Sequence, residues 1–537
     1  MTPTISRREW LWVAGWALLL LLLTSLPYLY GAALSTPANQ FSGFVLGVDD
    51  GNSYLAKMRL GADGAWQFHL FYTSEPHEGA TLFLFHLLLG KLARLAHLPL
   101  LAVYHAARLL FGLLLLAMVY LFAAHFTPNV SLRRLSLGLV AVGSGLGWLV
   151  IALGQLDRLG LPLDFYLPEA FVFHLLLALP HLSLALSLLL AALLLTLHAW
   201  ESGRWLWAGL AGLALLLLAV IAAFYYFIFA AVLGVTLLLR WRQAAFRWRE
   251  AGQLALPLAI AAPLPLYYAT IAATIPVFGI WARQHNFQSP APVHYLLAFG
   301  PLAALAIIGA WRVWRAGSRP GLLLVGWLAV SPLLLYVPLV TLQRRLAFGL
   351  QVALAVLAAQ GAAWLWCEKI SGRWPRLRRR WPLAALALVA LFSLSNLLIL
   401  AGTALETGRR AQPVFQPGAI VAAADWLAGV SSPDTVVLAA YNTANFLPTH
   451  APGRMFIGHG PETIHPEQKS ALVQQFYAAA TPNDWRQQFL AQYGIDLVFW
   501  GPEERALGQF LPGQVSYLHK VYDNGEVAIF EVVKIPG

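Results

Sequence analysis

Long apolar stretches recur through the first 401 residues of this chain, and short arginine-rich loops separate them. Most are long enough to cross a bilayer as a helix, which takes about 20 residues at 1.5 Å per residue. In lipid every backbone polar group must be satisfied within its own segment, so the expected fold is mostly α, a polytopic transmembrane helical bundle. Charged residues are 11% of the chain, against about 25% in soluble domains, which excludes that class. The net charge of +11 does not point to nucleic acid, because Lys and Arg sit in short loops where they orient a membrane protein. Cys367 is the one cysteine, which excludes an intramolecular disulfide and a Cys-based metal site.

Arg7 and Arg8 precede the run 10–29, which reads as an uncleaved signal anchor with the N-terminus in the cytoplasm. Placing the basic loops inside gives about eleven spans: 10–29, 100–126, 135–153, 171–200, two within 205–239, 254–275, 294–310, 322–340, 346–366 and 382–401. The run 80–97 is apolar but broken by His86, Lys91, Arg94 and His97. If it spanned, Arg133 and Arg134 would fall outside and every later loop would invert, so it reads as a juxtamembrane helix. From Thr403 the composition changes, with amphipathic helices alternating with short β-rich runs. The expected layout is a membrane domain over 1–402, with its first outer loop at 30–99, and an extracytoplasmic α/β domain over 403–537. The setting is a plasma or inner cell membrane.

The first polar stretch of any length is 48–79, between two apolar runs. Asp49 and Asp50 open it, and Tyr54 and Lys57 follow Asp50 at four and seven residues, on one helix face. Glu75, His77 and Glu78 close it. Carboxylates held at a lipid–water boundary suit proton transfer on a lipid-linked substrate; a solvated loop that only orients the chain is the plainer alternative. One Asp is expected to face the reaction while its neighbour caps a helix starting near Asn52. A second outer loop carries Asp157, Arg158, Asp164 and Glu169. Arg344 and Arg345 break the topology rule by lying at an outer span end, where a phosphate is a natural partner for guanidinium groups. Lys57, Lys91, Arg94, Arg108 and Arg283 are weaker candidates of the same kind. His69, His77, Glu75 and Glu78 match no strong metal-ligand spacing, so no cofactor is required, though a divalent metal stays possible.

The layout resembles the GT-C superfamily of polytopic glycosyltransferases, in particular the protein O-mannosyltransferase and aminoarabinose transferase branch (family 39-like). VDDGNSYLAK places Asp49 and Asp50 where that family has an acidic pair, and EPHEGATLFLFHLL is similar to its segment ahead of the juxtamembrane helix, without the second Pro. HAARLLFGLLLL, with Arg108, is similar to the start of the next helix, and LPLDFYLPEA to the second-loop acidic motif, with Asp164 and Glu169 both open as the counterpart. The resemblance implies a polyprenyl-phosphate sugar donor and membrane-lipid partners, and a loop Asp as general base, Asp49 ahead of Asp50. It implies a second-loop acid that orients the acceptor or assists the base, and inversion at the anomeric carbon. Arg344 and Arg345, with Arg283, are expected to hold the phosphate. Two other classes stay open: a transporter, against which no inverted repeat is visible, and a scaffold that binds a lipid-linked glycan without chemistry. The 403–537 region shows no catalytic cluster and is expected only to shape acceptor access.

Overall fold

The structure is a computed structural model that describes residues 4–243, 246–338 and 341–533. Seven of the described helices are long and apolar enough to cross a membrane, or nine if each of two bent pairs counts as one span. This is a multi-pass membrane protein. Two of the eleven expected spans account for the lower number. Leu322–Tyr336 is too short, and the end of that expected span, residues 339–340, lies outside the described residues. The stretch 135–153 is not one helix but two, Val130–Ala141 and Gly147–Ala152, parted at the GSGLG turn.

The chain folds as two compact units, one of Met1–Leu26, His105–Tyr268 and Asn286–Gly402, the other of Pro27–Tyr104, Ala269–His285 and Thr403–Gly537. The first unit is helical, and its helices break where proline or side-chain acceptors compete with the helical ladder. Pro180 parts Val172–Ala178 from Pro180–Ser202, and the Ser183 hydroxyl donates to the Leu175 carbonyl at 3.2 Å. Trp248–Ala261 and Pro263–Thr274 meet at a 42° bend, where a proline starts the second helix. At the GSGLG turn the buried Gln351 amide accepts from Val172 N–H at 2.8 Å and donates to the Gly143 carbonyl at 2.7 Å. Irregular backbone is tolerable at membrane depth only when protein groups satisfy it in this way.

The second unit begins with the end of α1 (Arg7–Leu34), followed by α2 (Val48–Ala62) and α3 (Leu84–Ala96). A Cβ at Gly61 would lie 2.1 Å from the Leu87 carbonyl oxygen, and one at Gly90 would lie 1.8 Å from that of Met58. The helices α2 and α3 therefore cross backbone to backbone, and only glycine fits either position.

Strands β1 (Asn39–Phe41) and β2 (Phe415–Pro417) form a small antiparallel pair. The main sheet is built from β3 (Val436–Leu438), β4 (Arg454–Met455), β5 (Leu497–Trp500), β6 (Leu518–Asp523) and β7 (Ala528–Val532), in the order β4-β3-β5-β7-β6. The β6–β7 hairpin turns at Asn524, whose side chain accepts from Val527 N–H at 2.8 Å. Alternate strand residues feed two cores, as the period of two requires. Val437, Phe499 and Ile529 pack with Ile420 and Leu427 of the helix Gly418–Val430 and with Phe68, Phe71 and Tyr72 of the first loop. Leu438, Val498 and Phe530 pack with Val473, Phe476 and Phe489 of the helices Pro466–Tyr477 and Asn483–Gln492. The first loop runs beside the sheet edge: Met455 N–H donates to the Phe71 carbonyl at 2.6 Å, and Arg454 donates to that of Ser74 at 2.6 Å.

Candidate active site

Helix α2 begins at Val48, directly after Gly47, so Asp49 and Asp50 both lie in its first turn. Carboxylates are favoured there by the unpaired N–H groups and the helix dipole. Neither Asp is the cap, which corrects the expectation of a helix starting near Asn52. The two neighbours have different surroundings. The Asp50 carboxylate is 56% exposed, and its Oδ1 lies 3.1 Å from Nε2 of His459, which is buried. Asp49 is half-buried and hydrogen-bonded to the Tyr441 hydroxyl. Burial raises the Asp49 carboxyl above its ordinary value and the Asp50 charge adds to this, while His459 and Tyr441 pull it down. The Tyr441 hydroxyl is pushed up to about 12 by burial and then by Asp49, so at neutral pH it is a donor. It also accepts from Gly460 N–H at 2.8 Å.

Behind the pair lies a buried polar chain. Glu462 Oε1 is 2.6 Å from Lys57 Nζ, accepts from the Ser53 hydroxyl at 2.8 Å, and is 3.8 Å from Nδ1 of His459. Lys57 also donates to Ser53 and lies over the Phe83 ring, 4.3 Å from its centroid. Burial pushes the Glu462 carboxyl up, but the Lys57 and His459 charges outweigh it and leave it below its ordinary value. Lys57 is fully buried, so its charge is spent on Glu462. Asn445 completes the turn, donating to the Asp49 carbonyl at 3.2 Å and accepting from the Asn52 amide at 2.8 Å.

The remaining first-loop candidates lie apart from these hydrogen bonds. Glu75 pairs with Lys469 at 2.7 Å; burial raises its carboxyl, but Lys469 dominates and holds it low. The His77 ring has both nitrogens engaged, one accepting from Leu70 N–H at 2.9 Å and the other 2.8 Å from the Glu75 carbonyl. Burial lowers His77, and lowers His69 to about 4. Glu78 and Arg283 are exposed. Arg283 sits beside Gln284, whose side chain donates to the Thr463 carbonyl at 2.5 Å. Among the described residues no three His, Cys, Asp or Glu side chains are grouped to hold a metal ion.

In the first unit, Asp164 and Glu169 are resolved into two roles. Asp164 is fully buried, and its Oδ2 accepts from Gly145 N–H at 3.0 Å, Gly147 N–H at 3.2 Å and the Ser395 hydroxyl at 2.7 Å. It pins the GSGLG turn. Glu169 instead lies 3.6 Å from Arg345 Nε. Arg344 and Arg345 both stack on the Phe287 ring, at 4.7 and 4.4 Å, and remain partly exposed. Arg108 is buried, donating to the Leu176 carbonyl at 3.1 Å and the Ser25 hydroxyl at 2.8 Å. It ties helices together.

His459, Tyr441, Glu462 and Asn445 were missed by the sequence reading, which assigned no chemistry after Thr403. The available signal was GHGPET at 458–463, a polar, glycine-punctuated run between apolar segments. A Cβ at Gly458 would lie 2.8 Å from both Tyr72 Cδ1 and the Ala444 carbonyl carbon, so this glycine lets the run reach the first loop.

A helical membrane bundle with a mixed-sheet unit, and an acidic pair at a helix start, defines a class of polytopic membrane protein. Within it the chain has the GT-C glycosyltransferase fold. It is similar to the arabinofuranosyltransferase AftD from Mycobacteria (TM-score 0.56, 17% identity, covering 99% of this chain and 40% of that one). It is also similar to the Archaeoglobus fulgidus oligosaccharyltransferase, solved with a tethered acceptor peptide (TM-score 0.50, 13% identity, covering 90% and 69%). ArnT from Cupriavidus metallidurans aligns over 97% of this chain and 98% of its own at 15% identity and TM-score 0.49. No protein-family model and no curated protein matches the sequence.

Proposed function

We propose that this protein is a glycosyltransferase that moves a sugar from a polyprenyl-phosphate donor to an acceptor hydroxyl or amide at the outer face of the membrane, with Asp49 as general base. The observation that carries this reading is the Asp49–Asp50 pair in the first turn of α2, in a chain with the GT-C fold. The Asp49 carboxyl accepts the acceptor's proton, and the freed electron pair attacks the anomeric carbon from the face opposite the phosphate. The C–O bond to phosphate breaks, and its electron pair leaves on the lipid phosphate. The configuration inverts. Asp49 is half-buried with Tyr441 donating to it, which fixes its direction; a base works best when positioned and when its pKa approaches the working pH. Arg344 and Arg345 are the proposed contacts to the donor phosphate, where partly exposed guanidinium groups can meet developing charge. Glu169 then orients Arg345 rather than the acceptor.

The test is transfer from a panel of radiolabelled polyprenyl-phosphate sugars, with the purified protein in lipid nanodiscs and membrane glycans, lipids and peptides as acceptors. Release of polyprenyl phosphate coupled to labelled acceptor is expected with one donor. Binding of a donor without transfer to any acceptor would favour the scaffold.

A further inference from the structure

The acid pair is held by a loop about 400 residues away in sequence. Two consecutive residues of that loop serve two consecutive residues of α2. His459 Nε2 is 3.1 Å from Asp50, and Gly460 N–H holds the Tyr441 hydroxyl that bonds Asp49. The imidazole is itself buried. Its Nδ1 faces Glu462 at 3.8 Å, Glu462 is locked by Lys57 and Ser53, and the Tyr72 ring lies 5.5 Å away, tilted 32°. Asp50, the imidazole behind it and Glu462 beyond the imidazole lie in line, and the imidazole is the group that bonds and orients Asp50.

We propose that His459 is a positioning residue for sugar transfer: it holds Asp50 and meets its charge, so that Asp49 remains placed to take the acceptor's proton. This rests on the catalytic reading of Asp49. Adjacent carboxylates in one helical turn disfavour each other's ionised form. A ring between Asp50 and Glu462 gives Asp50 a hydrogen-bond donor, and when protonated at both nitrogens it is a cation between two anions. The charged and titratable groups facing the site are Asp49, Asp50, Glu462, Lys57, Tyr72 and Tyr441. Of these, Asp50 raises the Asp49 carboxyl and His459 lowers it. The proton in the bond-making step goes from acceptor to Asp49, and His459 neither gains nor loses one.

Two measurements on the full chain test this. The first is a thermal-stability cycle of Asp50→Asn and His459→Gln. The shifts are expected to be non-additive; additive shifts remove the contact and overturn the proposal whether or not a donor has been found. The second uses the polyprenyl-phosphate sugar that the wild type transfers. His459→Gln should lower kcat about a hundredfold, the scale of misplacing a reacting group by about 1 Å, with donor KM unchanged. The acid limb of its pH–rate profile should move to higher pH, since the charge that lowers Asp49 is gone. Added imidazole should restore part of the activity of His459→Ala. If Asp49→Asn is inactive while both His459 variants keep wild-type kcat and acid limb, the positioning role is wrong and the catalytic reading stands. If Asp49→Asn transfers as well as wild type, the catalytic reading fails, and the positioning role fails with it.

Discussion

Asp50 and Asp164 are both aspartates in polar loops between apolar runs, yet one carboxylate is 56% exposed and the other is fully buried. Asp50 meets the His459 imidazole and is more than half exposed. Asp164 accepts from two backbone N–H groups and a hydroxyl, and those bonds hold a break between two helices. The same residue type therefore does opposite work. Where backbone amides at a helix break and a hydroxyl converge on one buried carboxylate oxygen, the carboxylate is part of the architecture. Where the carboxylate is more than half exposed and its partner is an imidazole, it can be reached from solvent. The arginines divide in the same way: Arg108 is used up on a backbone carbonyl and a serine, whereas Arg344 and Arg345 lie on an aromatic ring with their faces partly open.

The sharpest way to break this comparison is Asp49→Asn, which keeps the shape of the side chain and removes its basicity. Turnover is expected to fall by about 10²–10⁴, the usual contribution of a general base, in a transfer assay on folded protein. The wild-type acid limb should lie above the ordinary aspartate range, because burial raises Asp49. In Asp50→Asn that limb should move to lower pH, because the neighbouring negative charge that raises Asp49 is removed. A limb that stays in place would show that the two acids are not electrostatically coupled.

Next in size is the buried pair. Lys57→Met leaves Glu462 charged and enclosed, which should cost about 3–5 kcal/mol, read as a large fall in thermal stability. Adding Glu462→Gln should recover most of it. If the single variant is as stable as wild type and only donor KM rises, Lys57 is a substrate contact after all. Arg345→Ala should raise the donor KM roughly tenfold to over a hundredfold, from the loss of a charged hydrogen bond worth about 1.5–3 kcal/mol. Arg108→Ala should leave donor KM unchanged in the molecules that fold. Equal effects on KM from both arginines would erase the distinction between spent and open guanidinium groups. The smallest expected change is in catalysis by Asp164→Ala. Each unmatched donor around it costs about 1–3 kcal/mol of stability, while kcat per folded molecule should hold. A fall in kcat at full stability would return Asp164 to the site.

Much of this was legible in the chain itself. Apolar runs of bilayer length and loop arginines indicated a polytopic helical protein, because hydrophobic transfer and backbone satisfaction in lipid depend on local composition. Pro180 and Pro263 open helices for an equally local reason, since proline has no N–H to donate. VDDGNSYLAK could be read as an acid-bearing helix face because periodicity is local too. One expected span, 135–153, is interrupted where a distant group decided the outcome: at GSGLG the helix stops because Asp164 and Gln351 offer its amides and carbonyls other partners.

The sequence by itself determined the membrane class, the acidic pair and its helix. Only the tertiary structure decided which charges are open and which are spent. His459 reaches Asp50 across 409 positions, Glu462 takes Lys57 across 405, and Ser395 takes Asp164 across 231. Such contacts depend on long-range packing that no window of sequence contains. A carboxylate's chemistry is set by its burial and by the donors already pointing at it, and both exist only after the chain has folded.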